Sequence, residues 1–171
     1  MPRLTPFPAS TPAPLDRQSV ATLAAAEAVL AQLSGRAPLR IESVSVADGP
    51  AVRYALTPDV NAMRTNRGLM EDVVMAALAA PVTAAMLELP HLAGTRDPRA
   101  LLEAALTEPE EREILDAYLA VLMARTRVSL RRAWAEIGVV AAGLQEHGTL
   151  DAQAVQYRMA CAQGIRGTLL N

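Results

Sequence analysis

The chain has 171 residues, long enough for one domain with a substantial core, and it is 51% hydrophobic but only 3% aromatic. Its net charge of -2 offers no general field to draw nucleic acid or an anionic membrane. All 16 cations are arginine, which excludes lysine-dependent chemistry such as Schiff bases and the usual phosphate-loop lysine.

Residues 1–15 hold five prolines. Proline removes backbone donors and favours extended backbone, so this is read as an arm, separate from a single helical domain over residues 16–171. An arm of this kind is a free tail, or it lies along a partner with Leu4 and Phe7 as anchors. No apolar run follows a basic start, so a signal peptide is not expected.

A helix is expected over Asp16–Ser34, stopped by Gly35 and Pro38, with Val20, Leu23, Leu30 and Leu33 inward. Residues 39–56 carry the β signal. Ile41, Val44 and Val46 precede Asp48-Gly49, and Val52, Tyr54 and Leu56 follow, which is the pattern of a hairpin. Pro50 places one strand at an edge. A lone hairpin is marginal in water, so it should lie on the helices or pair with strands of another chain.

Short helices follow. Thr57 is expected to cap one that starts at Pro58 and ends at Gly68. The next runs over Leu69–Ala80 and ends at Pro81, and another runs from Pro81 to Pro90. After a loop, Asp97 caps a helix that begins with Pro98 and ends near Leu106. The stretch Val73–Leu87 is uncharged, but short for a membrane span and interrupted by Pro81.

Thr107–Gly138 is the strongest local signal, read as one long helix or two end to end, with a bend near Val128-Ser129. Thr107 and Glu110 have capping-box spacing, Pro109 suits the first turn, and Glu108 can pair with Arg112. Leu115, Tyr118, Leu119 and Leu122 form one stripe, widened by Ile114 and Val121. Ala117, Ala120 and Ala124 line the other side, so this helix is expected to be packed on both faces, with Ile114–Ala124 the middle of the core. A helix over Val139–His147 stops at Gly148. Thr149 caps the last helix, with Val155, Met159 and Ala162 inward.

Few residues carry chemistry. Glu88 and His91 have the spacing of a metal-ligating pair, but Pro90 between them breaks a shared helix face. His147 ends a helix, where its plain role is to face the dipole. Cys161 is read as a small buried residue, because nothing nearby would activate it. Asp116 is the one charge in the apolar run. Its plain role is a partner for Arg112, and its chemical role would be a partly buried acid. Arg125, Arg127, Arg131 and Arg132 are the densest basic run. Arg125 and Arg132 fall on one side and Arg127 and Arg131 on another, which does not suit a phosphate-tracking face. With Trp134, Arg127 and Arg131 are the candidates for protein contact.

The expectation is a mainly α fold: an irregular helical bundle around a long central helix, with one β-hairpin and an extended Pro-rich N-terminal arm. Function is read as a non-enzymatic assembly or adaptor subunit, acting through contacts with other protein subunits in a homo- or hetero-oligomer. No cofactor, metal, membrane or nucleic acid is expected, and the location is cytoplasmic or within a particle assembled inside the cell. The layout suits a structural or chaperoning component of a phage particle or tail. The alternative is a helical regulator that binds a small apolar ligand, in a pocket lined by Met70, Met75 and Met86, or DNA through its C-terminal third. A third class is an enzyme using Asp116 or His91.

Overall fold

The structure is a computed structural model that describes residues 15–169, with side chains up to residue 164. The Pro-rich stretch carrying Leu4 and Phe7 lies outside the described residues. The fold is mainly α-helical with a small antiparallel sheet. Its helices are α1 (Arg17–Ser34), α2 (Val60–Thr65), α3 (Arg67–Met86), α4 (Pro98–Ala105), α5 (Pro109–Glu113), α6 (Leu115–Arg132), α7 (Trp134–His147) and α8 (Ala152–Leu169). The strands are β1 (Ile41–Ser45), β2 (Ala51–Tyr54) and β3 (Thr149–Asp151).

Helix α1 starts at Asp16, whose carboxylate accepts from the Ser19 amide at 2.6 Å, and stops at Gly35 in the left-handed region (φ 64°). That positive φ carries no steric cost in glycine. Every residue from Leu23 to Ala31 is buried. A helix buried on all sides belongs to the interior, and alanines let its neighbours approach closely. It packs most extensively on α3 and α7. Leu33, expected inside, is half exposed.

The long helix at the centre is therefore not the 107–138 segment. The interior is shared by α1 and α3. Helix α3 has the length and hydropathy to cross a membrane, but most of that apolar window is buried in the fold. It runs through Pro81, where a break was expected. Proline cannot donate to the Ala77 carbonyl. That carbonyl instead faces Gly94 of the following loop: a Cβ on Gly94 would stand 2.9 Å from it. The loop thus covers the place where proline opens the helix.

The stop comes later, at a Schellman turn. Glu88 takes φ 54° and donates to Ala85 O at 3.3 Å, while the Leu89 amide donates to Ala84 O at 2.9 Å. Upstream, Asp59 rather than Thr57 caps α2, and Asn66 rather than Gly68 closes it. Asn66 also caps α3. The expected cap of α4 by Asp97 is present.

The 107–138 segment is divided twice. Helix α5 is separated from α6 at Ile114, and α6 from α7 at Ala133. Val128-Ser129 and Gly138 lie inside helices. Glu108, not Thr107, stands at the N-cap of α5. Arg112 turns away from Glu108 and donates to Leu106 O at 2.9 Å.

The hairpin forms as expected and finds its third strand within the chain. Strand order is β2-β1-β3, all antiparallel. Val44 pairs with Val52 on one side and Leu150 on the other, and all three are buried. This apolar row is the sheet's attachment to the helices. Thr149 belongs to β3 rather than capping α8, and Asp151 accepts from the Ala154 amide at 2.7 Å.

Candidate functional site

Helix α6 divides sharply into two faces. Leu115, Leu122, Thr126 and Leu130 are buried. Turned away from them, Ala117, Ala120, Val121, Ala124 and Val128 are exposed. Ile114, just before the helix, is 57% exposed, Val121 53% and Val128 43%. The sequence pattern called for packing on both faces, and the described residues cover one. The middle of 114–124 is a surface with a single buried edge.

Charge is distributed unevenly along the same segment. Glu108, Glu110, Glu111, Glu113 and Asp116 crowd its start, and Arg125, Arg127, Arg131 and Arg132 its end. At 100° per residue, Arg127 and Arg131 flank the apolar stripe on one side, and Arg125 and Arg132 on the other. Arg125 holds Glu71 at 2.5 Å. Glu71 also accepts from the Tyr118 hydroxyl at 2.6 Å, a bond that holds its carboxyl below the usual range. Burial, reinforced by Glu71, pushes the Tyr118 hydroxyl up to about 12. Arg67, paired with Glu111, extends this network. Among the described residues Arg127 and Arg131 make no ion pair.

Trp134 opens α7 and is partly exposed, in a shallow hollow with Gln18, Thr22, Leu89 and Gly138. Arg127 and Arg131 do not line that hollow. Asp116 is not a buried acid: it is exposed and held by Arg99 at 2.5 Å, not by Arg112. His91 is exposed in its loop, and Glu88 serves the Schellman turn. His147 lies 3.5 Å from Glu146 at the end of α7. Cys161, expected inside, is exposed on α8. Among the described residues, no group of three or more His, Cys, Asp or Glu side chains could hold a metal ion.

Two buried carboxylates, Glu27 of α1 and Glu136 of α7, were not marked by the sequence pattern. Glu27 lies within the alanine-rich run of α1 and is 2% exposed. It accepts from the Tyr54 hydroxyl at 2.8 Å and the Thr95 amide at 3.1 Å. The Arg96 guanidinium stacks on the Tyr54 ring, 3.8 Å from its centroid. Burial drives the Glu27 carboxyl above its ordinary range against those hydrogen bonds. The cluster joins α1, β2 and the loop before α4, a structural role. Its only advance signal was one charge inside an otherwise apolar helix.

A cleft of about 300 Å³ lies between α1, α3 and the α6–α7 junction, lined in part by Leu30, Asp72, Met75, Ser129, Arg132 and Glu136. Of the three methionines expected to line a pocket, only Met75 lines this one, and Met70 is in the core. Arg36 holds Asp72 at its edge at 2.7 Å.

No protein-family model matches the chain, and no curated protein matches its sequence.

Proposed function

We propose that the chain is a non-enzymatic assembly or adaptor subunit, acting through protein–protein contacts in a larger complex inside the cell. One observation carries the reading: along the outward face of α6 and just before it, Ile114, Val121 and Val128 are exposed among the described residues. Isolated exposed apolar side chains are ordinary, but a row along one helix face is typical of a contact surface. The Pro-rich sequence of residues 1–15, with Leu4 and Phe7, supplies a second segment suited to lie on a partner. A component of a phage particle or tail is one setting that fits such a subunit. Membranes and nucleic acid are not proposed partners, since the arginines of α6 are split across two flanks.

Native mass spectrometry of the full chain tests the reading. A defined homo- or hetero-oligomer supports it. A monomer carrying a small molecule favours the second reading, a helical regulator, which the cleft beside Met75 and Arg132 supports.

A further inference from the structure

We propose that two copies of this chain pair through α6, antiparallel about a two-fold axis near the middle of Val121–Ala124; this deepens the assembly reading above and rests on it. The apolar face has the period of a helix pair. Ile114, Val121 and Val128 are seven residues apart, and Ala117 and Ala124 fall between them. In the antiparallel register, Val121 of each copy faces Ala124 of the other, and Ala117 faces Val128. Each valine thus meets an alanine, which lets the two backbones approach closely.

Charge selects the partner and its direction. Five acids lie between residues 108 and 116, and four arginines between 125 and 132. A parallel pair would stack like charge on like. An antiparallel pair lays the acidic segment that precedes and opens each α6 beside the basic end of the other, which is the self-complementarity a two-fold interface requires. The helix dipole favours the same polarity, but only within the first and last turns. It does not account for Arg125 and Arg127, which lie further in. Glu110, Glu113, Arg127 and Arg131 are exposed or partly exposed and make no ion pair among the described residues, so they are available to a second copy.

Sedimentation velocity of the full chain over a concentration series tests this. The expected result is a monomer–dimer equilibrium that weakens with salt. Val121→Glu, or separately Val128→Glu, should raise the dissociation constant by roughly tenfold or more. Both positions are exposed, so unchanged thermal melting of the dilute variants shows that the fold is intact. Arg127→Glu with Arg131→Glu should weaken the dimer, and adding Glu110→Arg with Glu113→Arg should restore it. A dimer indifferent to Val121→Glu overturns the proposal, and so does a monomer at every concentration. A photo-cross-linking residue at position 121, used in cells, separates the two levels of the argument. Adducts only to a different protein reject the second copy but leave the assembly reading standing, whereas no adduct at all counts against both.

Discussion

The Tyr54 hydroxyl donates to Glu27 Oε1 at 2.8 Å and so ties an edge strand to the buried middle of α1. Glu27 is out of reach of water, so its partners must satisfy it. Tyr54→Phe removes one donor and leaves the carboxylate short. The expected loss is about 1–3 kcal/mol, measured by urea denaturation.

The same carboxylate sets a pH dependence. Burial raises its folded-state value above the usual 4.5, so the folded protein holds the proton more tightly than the unfolded chain. Its contribution is fully present below 4.5 and is lost as pH rises through the raised value. Glu71 has the opposite sign: its carboxyl is held low, and its contribution is lost as pH falls. The comparison is therefore made against Glu27→Gln. Wild-type stability relative to that variant should fall as pH rises above 4.5, and a flat difference would reject the assignment.

Gly94→Ala should be costly although the residue lies in a loop. The new Cβ would stand 2.9 Å from the Ala77 carbonyl oxygen and 3.3 Å from Glu27 Oε2. The near atom is backbone and cannot swing aside. Overpacking of this kind costs about 1–3 kcal/mol, and hydrogen exchange should show the loop over residues 87–97 opening.

Glu88→Gly should stabilise the protein. Glu88 holds φ 54° at the end of α3, a conformation that costs a side chain but not glycine. The gain is partly offset because glycine is freer in the unfolded chain. A net rise of about 0.5–1 kcal/mol is expected from thermal melting of the two proteins.

Neighbours on α6 should respond very differently. Leu122 is fully buried and Val121 is half exposed. Leu122→Ala should cost about 2–5 kcal/mol of monomer stability. Val121→Ala, measured at a dilution where any oligomer has dissociated, should change it by less than about 0.5 kcal/mol. Equal losses would mean that the outward face is buried within the monomer.

Local chemistry made much of this fold readable. Asp16 and Asp97 are caps by side-chain geometry, Gly35 supplies a left-handed stop, and Asp48-Gly49 turns a hairpin between alternating apolar residues. Each of those signals acts over a few residues, so no distant partner could override it. The predicted stop at Pro81 failed because the lost hydrogen bond lies inside the core, where Gly94, 13 positions downstream, covers the open carbonyl. Thr57, Gly68, Thr107 and Thr149 had plausible capping identities, but neighbouring residues took the turns.

The candidate site was half legible. The sequence marked the α6 stripe as apolar on both sides and marked Arg127, Arg131 and Trp134 as contact residues. It could not say which face the chain would cover. Cys161 was misjudged as inward, and Asp116 was given Arg112 as its partner, since helical spacing gives relative angles but not the direction of the core or the partners on other helices. The partner of Asp116 is Arg99, from a different helix.

By itself, the sequence determined the class of fold, the hairpin, the first helix with both its ends, and the lack of lysine chemistry. These follow from residue type and short-range spacing, which act before any tertiary contact exists. Tertiary structure decided that α1 and α3, not residues 107–138, hold the centre. It also decided that β3 completes the sheet and that Glu27 and Glu136 are buried, and among the described residues it left the second face of α6 uncovered. Those outcomes depend on which apolar surfaces meet across long separations in the chain, and burial rewards the best-fitting set of surfaces rather than the strongest local helix signal.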